Sequence, residues 1–519
     1  MKILHAAFSA AFFLSALCGP VQAGDVTLMS RDGQVQVSGT LLGFDGEFYR
    51  LETIYGELTV DGSGVTCEGP ACPSLDDYVA EIRISGAASM GAVMMPALID
   101  SFAQRNGYTV ARLKQDASHE DYTLTDDQTG KTVARFFFRL TNTDEGFADL
   151  LANEADIVMA LREIRRDEQQ RAVEAGMGDI TGPRRARVIA LDGLVPVVSP
   201  QNPVRSVSVE NLALAYAGRL TNWAELGGPD APVTLYAPGA DTGLAQAFED
   251  RVMRPSGLET TADVRRYLYG TDVAQAVAAD PFALGFASYA ETDRAQVLSL
   301  RGDCGRNLVA ARQTIKTEDY PLTAPMFLYV PARRLPRTGR EFISYATSSA
   351  AQLVIRRSGF VDQTPELVAL DAQGDRLANA IEAAGTEITL EDLKRMISVL
   401  GPRKRLTTSF RFEAGSARLD AQSRSNVIRL AETLERGRYD SAELTFVGFS
   451  DGDGPALANQ SIALRRAEAV RRAVLDAAEA FDPDRAILKT DAFGEAMPVA
   501  CDSSAWGRLT NRRVEVWLK

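Results

Sequence analysis

The stretch FVGFSDGDGPALANQSIALRRAEAVRRAVL, residues 446–475, joins an apolar strand to a helix through a glycine-rich loop. Its second half predicts an amphipathic helix, because small apolar residues recur at helical spacing at Ala463, Ala467, Val470 and Val474. The loop matches G-x-S-x-G, the turn that presents a nucleophilic serine in hydrolases, and its Asp-Gly pairs are similar to the start of a calcium loop. The stretch therefore raises three possibilities: a hydrolase, a metal site, or neither.

The composition argues against the first two possibilities. A serine nucleophile needs an imidazole base, but the chain has two histidines, His5 in the leader-like start and His119 in a distant region. The sequence lacks the histidine clusters and paired C-x-x-C motifs of zinc sites. After Asp451 and Asp453 the next calcium-ligand position is Pro455, and no glutamate follows at the twelfth place. We therefore expect no catalytic residues, no metal and no cofactor.

The segments around the loop predict a β-α-β-α-β-β order for residues 405–519. Together, FRFEAGSARLD, the loop with its helix, and NRRVEVWL resemble the OmpA C-terminal-like, peptidoglycan-binding domain family. The matching positions are Asp451, Gly454, Asn459, Arg466 with Ala467, and Asn511, Arg512, Arg513, Val514 and Glu515. Several matches in register make this a specific resemblance.

The resemblance implies that the domain binds diaminopimelate in the stem peptide of peptidoglycan. This zwitterion needs one acid and one arginine a few ångströms apart, and we assign Asp451 to its ammonium and Arg466 to its carboxylate. Asn459 is expected to support the loop and Arg513 to line the site. Phe449 replaces the usual histidine of the family and is expected at the pocket rim. The alternative is an ordinary surface salt bridge of little energetic value.

Residues 77–365 alternate strand-like and helical segments, which is typical of an α/β domain. They resemble the periplasmic phosphate-binding proteins of ABC transporters. The resemblance is carried by EADIVMALREI (154–164), IALDGLVPVVSPQNPV (189–204), YAGRLTNWAELGGPDAPVTLY (216–236) and DPFALGFASY (280–289). It implies two α/β lobes around a ligand cleft.

The three loops that hold phosphate in that family are altered in this chain. Ser89 is the one hydroxyl left where the family has G-S-S-T, Leu161 replaces the serine before Arg162, and R-x-D-x-S-G-T is reduced to Thr242-Gly243. Helix N-termini with such hydroxyls favour anions. The resemblance thus implies two alternatives. Either Ser89, Arg162, Thr242 and the Gly243 amide bind phosphate or another small oxyanion, or the cleft serves a different ligand or a protein.

Residues 1–23 have the layout of a secretory signal peptide, with a basic start, an apolar run and small residues before Ala23. We expect cleavage after Ala23. Lipidation at Cys18 is the alternative, although Leu17 stands where lipoprotein signals have a small residue.

Residues 24–75 predict a small β module, because alternating strand-like segments are separated by Asp-Gly pairs. In an oxidising compartment Cys67 and Cys72 are close enough in CEGPAC to form a disulfide. Cys304 and Cys501 either pair or remain thiols. Residues 366–404 predict a charged helical linker.

The net charge of −13 disfavours nucleic acid and anionic lipid, and no later run approaches the ~18 to 20 apolar residues of a membrane helix. The sequence therefore predicts an exported, multidomain α/β protein, not an enzyme, which is attached non-covalently to peptidoglycan in the periplasm. Association with the outer membrane is left open. The alternative function is an oxyanion receptor of an ABC transport system.

Overall fold

The computed structural model describes residues 25–74, 77–182, 184–267, 269–385, 387–413, 416 and 418–519. The predicted signal peptide, residues 1–23, lies outside these ranges. The chain divides into two compact units, Met1–Tyr78 and Val79–Lys519. None of the helices in the described ranges is long and apolar enough to span a bilayer.

The first unit is an antiparallel sheet with the order β4-β3-β2-β1-β5. Its strands are β1 (Asp25–Ser30), β2 (Gln36–Phe44), β3 (Phe48–Thr53), β4 (Gly56–Asp61) and β5 (Val65–Glu68). Alternate residues of two strands, Val26, Leu28, Tyr49 and Leu51, form its buried core. Cys67 and Cys72 form a disulfide with Cα atoms 5.8 Å apart. The predicted β module is thus present.

The second unit begins with a large mixed sheet of two lobes. The strands of this part of the unit are β6 (Ala80–Ala87), β7 (Tyr108–Lys114), β8 (His119–Asp126), β9 (Thr132–Thr141), β10 (Ile157–Ala160), β11 (Ala186–Val198), β12 (Ser206–Val207), β13 (Thr234–Pro238), β14 (Val264–Tyr267), β15 (Ala283–Ser288), β16 (Gln296–Val297), β17 (Ser299–Arg301), β18 (Asn307–Leu308) and β19 (Thr323–Tyr329). Three of them, β12, β17 and β18, form a small separate sheet.

The helices that cover these strands are α1 (Met95–Asn106), α2 (Thr143–Leu151), α3 (Arg166–Glu174), α4 (Val209–Tyr216), α5 (Gly243–Phe248), α6 (Arg254–Ser256), α7 (Gly270–Ala279), α8 (Arg312–Lys316), α9 (Arg337–Ala346) and α10 (Ser349–Arg357). The order in the large sheet is β14-β13-β15-β11-β19-β10-β6-β9-β8-β7. The long strand β11 joins the lobes, since its first half pairs with β19 and its second half with β15. Because it is buried along nearly its whole length, it reads as a continuous apolar run.

The C-terminal part of this unit contains β20 (Leu367–Val368), α11 (Gly374–Ala383), α12 (Leu390–Leu400), β21 (Lys404–Arg411), α13 (Ala421–Glu435), β22 (Glu443–Phe449), α14 (Ala456–Ala477), β23 (Ile487–Ala492), α15 (Ala505–Asn511) and β24 (Arg513–Leu518). Its sheet has the order β20-β21-β24-β22-β23. The predicted β-α-β-α-β-β order is confirmed, with the short helix α15 before the last strand.

The segment predicted as a helical linker, residues 366–404, packs against this sheet. Strand β20 pairs with β21 and extends the sheet at its edge. Leu393, Met396 and Leu400 of α12 share a buried core with Val447 and Trp517 of the sheet. The sequence predicted a charged helical linker here, but the apolar face of α12 is covered by the sheet.

The central and C-terminal parts meet in a broad contact. Cys304 and Cys501 form a disulfide with Cα atoms 5.7 Å apart, which answers the question that their separation in sequence left open. The Arg405 guanidinium forms two buried hydrogen bonds to Asp319, at 2.7 and 3.2 Å. Both parts therefore belong to one compact unit.

Candidate functional site

The Asp451 loop is held between β22 and α14 by two glycines. A Cβ on Gly448 would lie 2.0 Å from the Ala463 carbonyl oxygen, so only glycine lets the helix approach the strand this closely. Gly454 has φ of +93°, a conformation that other residues rarely adopt. The close approach brings the middle of α14, which carries Arg466, beside the end of β22, which leads into Asp451.

Asp451 supplies the anionic group of this site and Arg466 the cationic group. Asp451 is 9% exposed, and its carboxylate lies 3.3 Å from Nε of Arg512. Burial raises the pKa of Asp451, and the neighbouring Arg512 opposes this shift. Burial lowers the pKa of Arg466, as does Arg512, whereas Asp451 raises it.

Arg466 contacts an aromatic ring and forms no ion pair with a carboxylate of the described residues. Its guanidinium lies over the Phe412 ring, 5.2 Å from the centroid. Within the described ranges, no carboxylate forms an ion pair with Arg466. A partly buried guanidinium without a carboxylate is suited to bind one from a ligand.

Three polar side chains fix the loop. Asn459 donates from Nδ2 to the Gly454 carbonyl (3.1 Å) and to Glu495 (2.5 Å), which fits the supporting role expected for it. Asp502 accepts a hydrogen bond from the Gly452 amide (3.0 Å). Asn511 in turn donates to Asp502 (2.8 Å), so the loop is held from a second side.

Arg513, expected to line the site, lies in the interior. Its side chain is fully buried and donates to Glu515 (2.7 Å) and to the carbonyls of Asn511 and Met497. Phe449, expected at the rim, is also fully buried, and its ring centroid lies 4.3 Å from the Arg513 guanidinium carbon. The arginine at the site is the preceding residue, Arg512.

In the central part, the structure brings three of the four predicted ligand residues to one cleft of about 350 Å³, namely Ser89, Thr242 and Gly243. Thr242 caps α5, since its hydroxyl accepts from the Ala245 amide (3.3 Å) and donates to the Gly239 carbonyl (2.8 Å). The Ser89 hydroxyl is buried and has no hydrogen-bond partner among the described residues.

Arg162 lies outside this cleft. Its guanidinium bonds Glu168 (2.7 and 2.8 Å) and Asp144, and it lies 3.8 Å from Asp250. The ring of Phe147 lies 5.4 Å below it. These carboxylates already satisfy the charge of Arg162, so it is a structural ion-pair residue in this arrangement.

Apolar side chains fill the space beside Gly243. A Cβ on Gly243 would lie 3.2 Å from both the Ala87 Cβ and the Leu161 Cδ1. The Leu161 amide donates to the Thr143 hydroxyl (3.1 Å), so it is not free for a ligand. Leu244 is likewise buried. The predicted oxyanion position is therefore narrow and poor in donors.

The remaining charges of the cleft are mainly acidic. Glu145, Asp241 and Glu291 line it together with Arg139. Arg139 is already paired with Asp149 (2.5 Å) and Glu145 (3.2 Å). Burial raises the pKa of Glu291 to about 7, with a further contribution from Asp192. The net charge of these groups disfavours an anionic ligand.

Family models identify both parts of the second unit. A model described as a PBP superfamily domain matches residues 71–350, more than half of the chain. The chain belongs to the PBP superfamily. A second model, described as OmpA family, matches residues 411–512. Both resemblances predicted from the sequence, and the fold class that follows from them, are confirmed.

Individual relatives of this PBP superfamily member match its central part. Protein SphX of Synechococcus elongatus is 28% identical over 234 residues, 43% of this chain and 67% of SphX. The phosphate-binding protein PstS of Staphylococcus haemolyticus is 24% identical over 250 residues, 45% of this chain and 76% of PstS. An ABC-type phosphate transport receptor from Vibrio cholerae is similar in structure, with a TM-score of 0.41 and 21% identity over 54% of this chain and 99% of the receptor.

Proposed function

We propose that the protein is exported to the periplasm and binds peptidoglycan non-covalently through its OmpA-family domain. The observation that carries the proposal is that Asp451, buried just after β22, lies near Arg466, which forms no ion pair with a carboxylate within the described ranges. The ligand is the diaminopimelate of a stem peptide, whose ammonium binds Asp451 and whose carboxylate binds Arg466. Arg512, whose Nε lies 3.3 Å from Asp451, is a second cation close to both groups.

The energetics of this pair favour a zwitterion over a singly charged ligand. Both side chains are partly desolvated, and their pKa values are shifted toward the neutral forms mainly by burial. A ligand that offers both charges at once compensates both groups. A ligand with only an ammonium leaves Arg466 without a carboxylate, and a ligand with only a carboxylate leaves Asp451 with Arg512 as its nearby cation.

The test is co-sedimentation of the full mature chain with purified peptidoglycan. We expect Asp451→Ala and Arg466→Ala each to weaken binding tenfold or more, about 1.4 kcal/mol or more. Matched controls are Asp453→Ala, an exposed acid two residues away, and Arg465→Ala, the preceding arginine on α14. Unchanged sedimentation in both site variants, or equal losses in the controls, would overturn the assignment.

We propose that the central PBP domain is a binding domain, not an enzyme, and that its ligand is not free phosphate. The alternative, an oxyanion receptor of an ABC transport system, is supported by relatives named phosphate-binding protein. Three observations argue against this alternative. Arg162 lies outside the cleft, Leu161 makes apolar contacts beside Gly243, and the lining of the cleft is mainly acidic. Attachment to the wall also disfavours a receptor that must travel to a transporter.

A further inference from the structure

A groove of about 710 Å³ runs along the junction of the central and C-terminal parts of the second unit. One wall comes from β12, the start of α4 and β17, and the other from residues 503–506. The Cys304–Cys501 disulfide ties the two walls together. The groove is thus a fixed feature of the unit, and the proposed function does not use it.

The groove adjoins the Asp451 site through three consecutive residues. Cys501 is bonded to the central part, and Asp502 accepts a hydrogen bond from the Gly452 amide of the Asp451 loop (3.0 Å). The next residue, Ser503, donates to Asp303 in the groove wall (2.5 Å). The segment 501–503 therefore links the groove wall to the Asp451 loop.

The lining of the groove suits a neutral carbohydrate. Hydroxyls and the Asn211 amide lie beside the carboxylates of Glu210 and Glu225 and the Arg301 guanidinium. Sugar hydroxyls donate to carboxylates and accept from amide and guanidinium N–H groups. Three acids, counting Asp303, outnumber the one arginine, so the lining disfavours nucleic acid and anionic lipid headgroups.

Trp506 supplies the apolar surface that a sugar ring needs. Its side chain is half-buried, packs against the core of the central part and donates from Nε1 to Glu210 (3.3 Å). A large flat ring of this kind packs against the C–H face of a pyranose. The other tryptophans of the sequence, Trp223 and Trp517, are fully buried, so Trp506 dominates any fluorescence response to a ligand in the groove.

We infer that the groove is a glycan subsite. It takes the N-acetylated amino-sugar chain of the same peptidoglycan whose stem peptide occupies the Asp451 site. The inference rests on the proposed function, and it adds that the PBP domain supplies one wall of the binding surface. Stem peptide and glycan are then held by two sites on one compact unit.

The test uses the full mature chain and three probes: a diaminopimelate-containing stem peptide, the same peptide linked to its disaccharide, and a β-1,4-linked N-acetylglucosamine tetramer. We expect the linked peptide to bind at least tenfold more tightly than the free peptide. Trp506→Ala removes this difference and leaves free-peptide affinity unchanged. Asn211→Ala and Arg301→Ala reduce the difference in affinity between the two peptides. Both variants keep Trp506 and its packing against the core. Tyr55→Ala, an 85% exposed aromatic of the first unit, is the matched control without effect.

The tetramer separates the subsite from the proposed function. We expect it to change tryptophan fluorescence in the wild type and in Asp451→Ala, but not in Trp506→Ala. Equal affinities for the two peptides, no fluorescence response to the tetramer, or an equal loss of both peptides in Trp506→Ala would overturn the subsite. If the wild-type chain binds the tetramer but does not bind the free stem peptide, only the stem-peptide assignment is overturned.

Discussion

Arg512 and Arg513 are adjacent in the sequence but have opposite surroundings. Arg513 starts β24, is fully buried and shares a face with Glu515 and Trp517, because strand side chains alternate with a period of two. Arg512 directly follows α15, keeps 25% of its side chain exposed and contacts Asp451. Arg513 therefore lies in the interior of the domain, whereas Arg512 lies beside Asp451.

We expect the two arginines to separate stability from binding when each is replaced by alanine. Arg512→Ala weakens sedimentation with peptidoglycan and changes urea unfolding little, since its side chain is partly exposed. Arg513→Ala destabilises the second unit by roughly 3 to 5 kcal/mol, because it leaves the buried Glu515 carboxylate with fewer cations. An Arg513→Ala variant of normal stability that fails to bind would reverse this assignment of roles.

A spaced motif in the sequence marked Asp451 and Asn459 as candidate site residues. Asp451 and Asn459 lie where the motif indicates, at the loop and at the start of the following helix. The motif could not separate Arg512 from Arg513, because that choice depends on which face of β24 is covered. Helices α11 and α12 cover that face, and their packing is not readable from the strand itself.

At the scale of elements, the cleft also depends on packing that the local sequence does not reveal. The lost hydroxyls were visible in the sequence, and the structure adds that Leu161 fills space beside Gly243. Arg162 was expected to bind the ligand because it follows the altered serine position. Two of its acidic neighbours, Asp144 and Asp250, come from other segments, so the local sequence could not reveal the full set of its ion pairs.

We expect the cleft to bind inorganic phosphate weakly or not at all. Each unsatisfied acceptor of a dehydrated phosphate costs on the order of 1 to 3 kcal/mol, and Pro238 has no amide hydrogen to offer. Several such losses reduce affinity by orders of magnitude, at about 1.4 kcal/mol per decade. Calorimetry of the full chain with phosphate is the measurement. Submicromolar affinity that disappears in Thr242→Ala but persists in Arg162→Ala would show that the remaining hydroxyl and amide donors suffice.

At the scale of the whole second unit, buried charges join the two family domains. Asp319 of the central part faces Arg405 and Arg411 of β21, while Glu515 of β24 faces Arg376, Arg405 and Arg513. The sequence predicted two domains separated by a linker. It could not predict that the two domains pack into one compact unit, because the contacts between them join residues far apart in the chain. Asp319 and Arg405 are 86 positions apart, and Cys304 and Cys501 are 197 positions apart.

These ion pairs predict an acid-sensitive second unit. Burial alone would raise the pKa of Asp319, but the surrounding guanidiniums, foremost Arg405, outweigh it and hold the pKa well below its ordinary value. Burial is likewise outweighed at Glu515, whose pKa falls to about 2. Because both pKa values are lower in the folded state, these carboxylates stabilise the fold above about pH 4.5, and this contribution is lost as the pH falls toward 2.

We expect Asp319→Asn to remove much of this pH dependence and to cost roughly 3 to 5 kcal/mol at neutral pH, because Arg405 is left buried without its main carboxylate. Urea unfolding between pH 7 and pH 2.5 measures both effects. Asp167→Asn, which breaks an exposed pair on α3, is the matched control with little effect. If the domains were joined mainly by apolar packing, the two variants would unfold alike and the acid transition would stay where it is in the wild type. If buried ion pairs join the domains, Asp319→Asn loses more free energy of unfolding than Asp167→Asn, and this difference becomes smaller as the pH falls.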